Sequence, residues 1–290
     1  MHPAPSVIVF STLSGLGFGL LFWLGVDSSP PKGLSGFIFF AIAYALAVGG
    51  LLSSTFHLGH PERAWRALSQ WRTSWLSREG VCAVVALCIM GLYAAALIFF
   101  GFHAPVTGLI GAGLSLFTVF TTSMIYAQLD TVPRWKTPLT PALYLSFSLA
   151  GGALLSGRVN YAILLLIVAA IIQFVWWQRG DTALADSGSD LGTATGLGER
   201  GTVRSMAHPH TAPNYLVKEF IYIIGRKHAQ KLRVIAFGLT FVIPVILLIL
   251  PFNHLFGVLA VLSHVAGVAT SRWLFFAEAE HVVGLYYGAR

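Results

Sequence analysis

Long apolar segments separated by short polar stretches dominate this sequence of 290 residues. Each is about 20 residues long, the length that an α-helix needs to cross a hydrocarbon layer of roughly 30 Å. We therefore expect an all-α integral membrane protein, an up-and-down bundle of eight transmembrane helices in one domain, residues 1–290. The predicted spans are about 6–26, 34–56, 79–100, 104–128, 139–157, 160–178, 233–251 and 255–276.

The composition excludes the main soluble classes. Hydrophobic residues make up 56% of the chain and charged residues only 10%, more apolar surface than a soluble core absorbs. The first apolar run lacks a basic leader and a cleavage pattern, so we interpret it as a span and not as a signal peptide. The net charge is +7, and the basic residues lie mostly in loops, which indicates contact with membrane lipids or a partner. We do not expect nucleic-acid binding.

The basic residues also predict an orientation. With eight spans, both termini lie on one side, and 15 of the 18 lysines and arginines fall there. Because positive loops stay in the cytoplasm, we expect cytoplasmic termini. The long loop 179–232, also on that side, is rich in polar residues and predicted to be flexible until a partner covers it.

Charge and tryptophan concentrate in the stretch 57–79, HLGHPERAWRALSQWRTSWLSRE. From Pro61 to Gln70, apolar residues fall at helical spacing opposite Arg63 and Arg66, which predicts a short interfacial helix after span two. Its tryptophans and most of its arginines fit an aromatic belt with arginines reaching the interface. The chemistry therefore narrows to the two ends of the stretch.

These ends carry His57 and Glu79. An imidazole at the membrane edge can exchange hydrogen bonds and protons with a quinone headgroup near neutral pH. Glu79 opens span three just after Ser77, which can cap that helix. Two interpretations of Glu79 stay open: a carboxylate that favours the positive helix end, or one that passes protons between a buried ligand and water.

Two further charges are candidates for the same site. Asp130 ends span four, where its charge opposes the helix dipole, so a cationic partner is expected, with Arg134 or Arg272 as candidates. Arg272 lies inside the last span, where an unneeded charge is unfavourable. It marks either a structural ion pair or a polar cavity.

No metal or haem site is expected in this chain. Cys82 and Cys88 are six residues apart on one helix and face different directions, which argues against a disulfide, an iron–sulfur cluster or a zinc site. His264 lies within span eight, but no histidine at mid-depth in the first six spans could pair with it around a haem.

Three motifs resemble one family. FHLGHPERAW at 56–65, WLSRE at 75–79 and YAQLDTVPRW at 126–135 occur in the order found in the DmsC-like membrane anchor subunits of dimethyl sulfoxide reductase, a molybdopterin oxidoreductase. The resemblance implies an eight-helix subunit without a redox centre of its own. It also implies anchoring of an iron–sulfur subunit and a molybdopterin catalytic subunit, and electron exchange with quinone. In the family, the residues matching His57 and Glu79 are associated with quinol.

The predicted orientation refines this expectation. Dimethyl sulfoxide reductase holds its catalytic subunits outside, whereas the charge count places the docking face in the cytoplasm of a bacterial inner-membrane protein. That arrangement is similar to cytoplasmic sulfite-oxidising relatives, in which this subunit would reduce ubiquinone or menaquinone. A quinol-oxidising terminal reductase, a secondary transporter and a purely structural anchor are the alternatives. The expected quinone-site residues are His57, Glu79, Arg63, Arg66, Asp130 and Arg272.

Overall fold

The computed structural model describes residues 1–207, 210, 214–221, 227–251 and 253–287, and leaves out the side chains of His57 and Val217. Within these ranges all regular structure is helical and no strand occurs. Seven helices among the described residues are long and apolar enough to cross a membrane. An apolar helix of 17 residues, Leu139–Leu155, corresponds to the remaining predicted span but is shorter than those seven.

The helices follow one another with short connections through the first two thirds of the chain. They are α1 Pro5–Gly25, α2 Gly33–Ser53, α3 Trp75–Phe100, α4 Pro105–Ala127, α5 Leu139–Leu155, α6 Val159–Asp186, α7 Leu191–Thr195, α8 Tyr215–Phe220, α9 Ala229–Phe237, α10 Ile243–Ile249 and α11 His254–Ala277. A π-helical segment, Gly238–Val242, joins α9 and α10 into one apolar helix, Ala229–Ile249.

The start of α3 differs from the expectation. Ser74 is the N-cap and its hydroxyl accepts a hydrogen bond from the backbone N–H of Ser77 at 3.5 Å, so Ser77 is not the cap. The Ser77 hydroxyl instead donates to the carbonyl of Ala67, which ties the preceding loop to α3. Because the helix begins at Trp75, Glu79 lies a full turn inside it.

The segment after α2 and the end of α6 also differ from their predicted form. Pro61–Gln70 is a 3₁₀ helix, and its Trp65 side chain is 67% exposed. α6 continues to Asp186, well past its predicted end near residue 178, so the first part of the predicted 179–232 loop is helical. Both segments extend structure towards the side where the chain begins.

α1 is the central helix of the bundle. It packs against α2, α4, α5 and α11, and two thirds of the residues in its apolar stretch are buried. Its glycines allow this closeness: a Cβ on Gly17 would overlap the α2 backbone at Ala47, and one on Gly19 would overlap α5 at Ser148. Small residues at such crossings let membrane helices approach closely enough for van der Waals contact to hold them.

The helix directions bring several termini to one end of the bundle. The amino group of Met1 donates to the carbonyl of Ala279 at 2.8 Å, so the chain start and the end of α11 lie together. We call this the terminal end. α3 and α4 pack as neighbours, and the short connection between them lies at the opposite end of the bundle. The beginning of α3 and the end of α4 therefore lie at the terminal end.

Candidate functional site

Glu79 is buried inside the bundle near its terminal end. Its side chain is 4% exposed, and its carboxylate accepts a hydrogen bond from the Thr122 hydroxyl of α4. The same hydroxyl lies 3.0 Å from the carbonyl of Thr118, its second possible acceptor. Since a hydroxyl has one proton to donate, Thr122 can turn to that carbonyl when Glu79 is protonated. The pair can therefore adjust to both states of the carboxyl group.

Thr122 also lines a small cavity between α1, α4, α5 and α11. Its volume is about 10 Å³, the space of roughly one water molecule. Arg272 lies on its wall, and we call it the Arg272 cavity. Most of its other walls are hydroxyl-bearing or small: Ser11, Thr12, Ser14, Gly15, Leu16, Val119, Tyr144, Phe147, Ser148 and Val268.

The Arg272 guanidinium is held by aromatic faces. It is 2% exposed, lies 3.5 Å from the ring centroid of Tyr144 and 5.3 Å from that of Phe147. Such cation–π contacts are attractive because the ring face carries negative potential. No carboxylate among the described residues pairs with Arg272, and its Nε donates to none of them. Within the described part of the chain, Arg272 thus lines a cavity and forms no ion pair.

An aromatic layer lies next to the Arg272 cavity on its terminal side. The rings of Tyr126 and Tyr144 stack at 5.9 Å, and Trp135 stacks on Phe275 at 5.0 Å. The indole N–H of Trp135 also donates to the carbonyl of Phe275 at 3.0 Å. Both ends of the 126–135 motif thus pack inside the bundle, where they anchor the α4–α5 connection against α11.

Four charged residues form a second group at the terminal end, which we call the charge cluster: Arg134, Asp181, Arg233 and Glu278. Arg134 and Glu278 are buried, whereas Asp181 is 41% exposed. Asp181 accepts from Arg134 at 2.9 Å and from Arg233 at 2.5 Å. Glu278 accepts from Arg233 at 2.7 Å and lies 3.9 Å from Arg134. Burial raises the pKa of the Glu278 carboxyl, and the neighbouring arginines oppose that rise. The cluster joins the α4–α5 connection, α6, α9 and the end of α11.

The predicted site residues are only partly brought together. Arg272 and Thr122 line the same cavity, and Glu79 is linked to it through its hydrogen bond with Thr122. Arg63 and Arg66 are exposed on the 3₁₀ segment. Asp130 is exposed and pairs with Lys136, so the prediction that it pairs with Arg134 or Arg272 is wrong. The side chain of His57 lies outside the described residues.

Sequence reasoning missed the residues that complete both groups. Thr12 and Thr122 belong to apolar helices in which hydroxyls commonly bond to their own backbone, so they carry no distinguishing signal. The hydrophobic pattern places Asp181 in a loop, yet it meets Arg134 across 47 sequence positions. A count of acidic residues near span ends could have drawn attention to Asp181 and Glu278, but not to their partners.

Comparisons with known proteins decide the family. Residues 34–288 match the family described as DMSO reductase anchor subunit (DmsC). The chain belongs to this family. It is also 31% identical to a sulfite dehydrogenase subunit from Allochromatium vinosum, over 99% of each chain. No solved structure matches it. The family match confirms the resemblance that the sequence motifs predict. With its apolar helices, the chain is a multi-pass membrane protein and belongs to a family of subunits of multi-subunit oxidoreductases.

Proposed function

We propose that this chain is the membrane anchor of a three-subunit molybdoenzyme and reduces quinone with electrons from sulfite. In this proposal an iron–sulfur subunit and a molybdopterin catalytic subunit dock at the terminal end, on the cytoplasmic side of the bacterial inner membrane. α5 serves as the eighth span. The family and the similarity to a sulfite dehydrogenase subunit support the complex; the excess of basic residues at the terminal end supports the orientation.

The observation that carries the quinone assignment is the buried Glu79–Thr122 pair. An ionisable group inside an apolar bundle is unfavourable unless a function retains it. In this proposal Glu79 gives a proton to a carbonyl oxygen of quinone, and its hydrogen bond with Thr122 orients the carboxyl group. Quinone becomes quinol by taking up two electrons and two protons, while sulfite and water yield sulfate, two electrons and two protons. The balance therefore closes within the proposed complex.

The headgroup itself needs more room than the Arg272 cavity, whose volume is about 10 Å³. We place it on the side of α3 and α4 that faces lipid, next to Glu79. Trp75 lies one turn before Glu79 on the same face of α3, and its ring meets Phe120 of α4 edge to face at 6.0 Å. Phe120 in turn stacks on the exposed Phe117 at 5.9 Å. A flat quinone ring fits such a surface.

The exposed charges of the same end suit a docking role. Arg63 and Arg66 project from the 3₁₀ segment, where Arg66 lies over the ring of Trp65 at 5.6 Å. Asp130 and Lys136 form an exposed ion pair on the connection between α4 and α5. We assign these residues to contact with the iron–sulfur subunit. His57 keeps its proposed role as a hydrogen-bond partner of quinone.

The test is quinone reduction by the purified complex. Glu79→Gln removes the proton and keeps the shape, and we expect turnover to fall about 100-fold, because a positioned acid contributes about 10²–10⁴-fold. Glu62→Gln is the matched control, since Glu62 is an exposed carboxylate 3.7 Å from Arg63. Equal turnover in both variants would exclude Glu79 from the site.

The reverse direction is a second candidate, supported by the family description as a DMSO reductase anchor. The same residues then take protons from quinol, because one proton route serves both directions. Sulfite-driven reduction of quinone and quinol-driven reduction of dimethyl sulfoxide, measured on one preparation, separate the two. We expect the first reaction to be the faster one.

A further inference from the structure

Arg272 is a buried charge whose hydrogen-bonding capacity is incompletely used. Its Nε has no hydrogen-bond partner among the described residues, and its contacts with Tyr144 and Phe147 engage ring faces. A guanidinium offers five N–H donors in a fixed plane, and a buried donor without an acceptor is destabilising. This arrangement indicates that something small and polar occupies the space beside it.

A second polar atom on the same wall also lacks a partner. The Thr12 hydroxyl of α1 is 3% exposed and bonds to no described residue. The neighbouring hydroxyls are used differently: Ser14 donates to the carbonyl of Phe10 at 2.7 Å, and Ser148 donates to that of Gly15 at 2.7 Å. Their oxygens keep lone pairs that can still accept. The cavity therefore presents unpaired donors together with free acceptors.

The size of the cavity decides the class of ligand. About 10 Å³ suffices for one water molecule, which needs two to four polar partners. A quinone ring does not fit in that volume, and chloride is larger than water. A single water molecule matches both the volume and the mixture of donors and acceptors.

We propose that the Arg272 cavity holds one bound water between Thr12 and Arg272, and that this water continues the hydrogen-bonded path from Glu79 through Thr122. Arg272 is then a positioning residue that orients the water without touching quinone. The inference rests on the proposed function, because Glu79 must be protonated again only if it gives a proton to quinone in each turnover.

The transfer balances at each oxygen. A proton that reaches the bound water forms one O–H bond, and the water releases another proton to the Thr122 oxygen. Thr122 releases its own proton to the Glu79 carboxylate, with which it is already hydrogen-bonded. One O–H bond forms and one breaks at the water and at Thr122, so both are restored while Glu79 becomes protonated.

The first test is a cryo-electron microscopy map of the intact complex in which internal waters are resolved. We expect density within hydrogen-bonding distance of both the Thr12 hydroxyl and Arg272 Nε in the wild type, and its loss in Thr12→Val. Thr118→Val is the matched control, because Thr118 is equally buried but bonds to its own helix at 2.9 Å. An empty cavity in a map that shows other internal waters would overturn the proposal.

The second test follows quinone turnover and its solvent deuterium isotope effect. Thr12→Val and Arg272→Met should each lower kcat about tenfold at unchanged KM and increase the isotope effect. Arg272→Lys should recover part of the loss, since a lysine keeps a donor and the charge. Thr118→Val should match the wild type.

The outcomes separate this inference from the proposed function. If Glu79→Gln slows turnover while Thr12→Val and Arg272→Met leave rate and isotope effect unchanged, the water path is wrong and the quinone site stands. If Glu79→Gln is also silent, the proposed function fails with it. A loss in Arg272→Met that Arg272→Lys does not relieve in any degree would contradict the positioning role.

Discussion

Arg233 and Arg272 both lie largely out of solvent at the terminal end of the same bundle, yet only Arg233 is ion-paired. Arg233 bonds to Asp181 and Glu278 at 2.5–2.7 Å and lies over the ring of Trp177. Arg272 meets no carboxylate in the described part of the chain and rests on Tyr144 beside the Arg272 cavity. The difference is in what compensates each charge.

We read this contrast as a structural role for Arg233 and the proposed functional role for Arg272. In the charge cluster every charge has an opposite neighbour, so the loss of solvation is offset and four segments are joined. Among the described residues beside Arg272, only ring faces and the cavity offset the charge. Stability alone does not account for an arginine in that position, because an apolar residue would cost less to bury.

The largest expected effect comes from breaking the charge cluster. Arg233→Met leaves Glu278 buried with only the more distant Arg134, at 3.9 Å. We expect the free energy of unfolding to fall by about 3 kcal/mol, the scale for removing one partner of a buried pair. Chemical denaturation of the solubilised complex measures this change. Turnover per folded complex should stay the same.

The control for this variant is Lys136→Met, which removes an exposed pair with Asp130. Exposed pairs contribute about 0–1 kcal/mol, so the change should be small. If Arg233→Met were as stable as Lys136→Met, the charge cluster would not hold the segments together. Arg233 would then have no structural role to contrast with Arg272.

The Thr122 hydroxyl gives the next largest effect. Thr122→Val removes the hydrogen bond to Glu79 and keeps the side-chain shape. We expect kcat for quinone reduction to fall about tenfold, equivalent to about 1.4 kcal/mol for a hydrogen bond to a charged group. Thr121→Val is the matched control, because Thr121 is also buried and bonds to the carbonyl of Thr118 at 2.7 Å. Equal losses in both variants would point to a general packing defect.

The smallest expected effect is on the stability of Arg272→Met. Replacing an unpaired buried charge by an apolar side chain should leave the free energy of unfolding unchanged or raise it by up to about 1 kcal/mol. The same denaturation experiment used for Arg233→Met measures it. A loss of about 3 kcal/mol, the size expected when one partner of a buried ion pair is removed, would show that Arg272 is structural after all.

The sequence could predict the parts of the fold that depend on local pattern. Apolar runs locate the helices because membrane length and backbone hydrogen bonding restrict them to few solutions. The family follows from motifs such as FHLGHPERAW, and the comparison confirms it. Glu79 and Arg272 stand out because a charge within an apolar run is rare.

The pairings could not be predicted, because they depend on how distant helices meet. The sequence predicts that Asp130 pairs with Arg134 or Arg272, but Asp130 lies exposed in the turn after α4 and pairs with Lys136. Arg134 instead turns inward to Asp181, on a stretch of α6 for which the hydrophobic pattern predicts a loop. Ser74 replaces Ser77 as the cap of α3 because the helix starts a turn earlier than its apolar run.

The central claim is that quinone binds where α3 and α4 meet at Glu79. Photoaffinity labelling of the purified complex with an azidoquinone, followed by mass spectrometry of the peptides, tests it most directly. We predict that the label attaches within Trp75–Phe100 or Pro105–Ala127, near Glu79 and Thr122, and that excess unmodified quinone prevents it. Competed labelling confined to α6, α10 or α11 would contradict the claim.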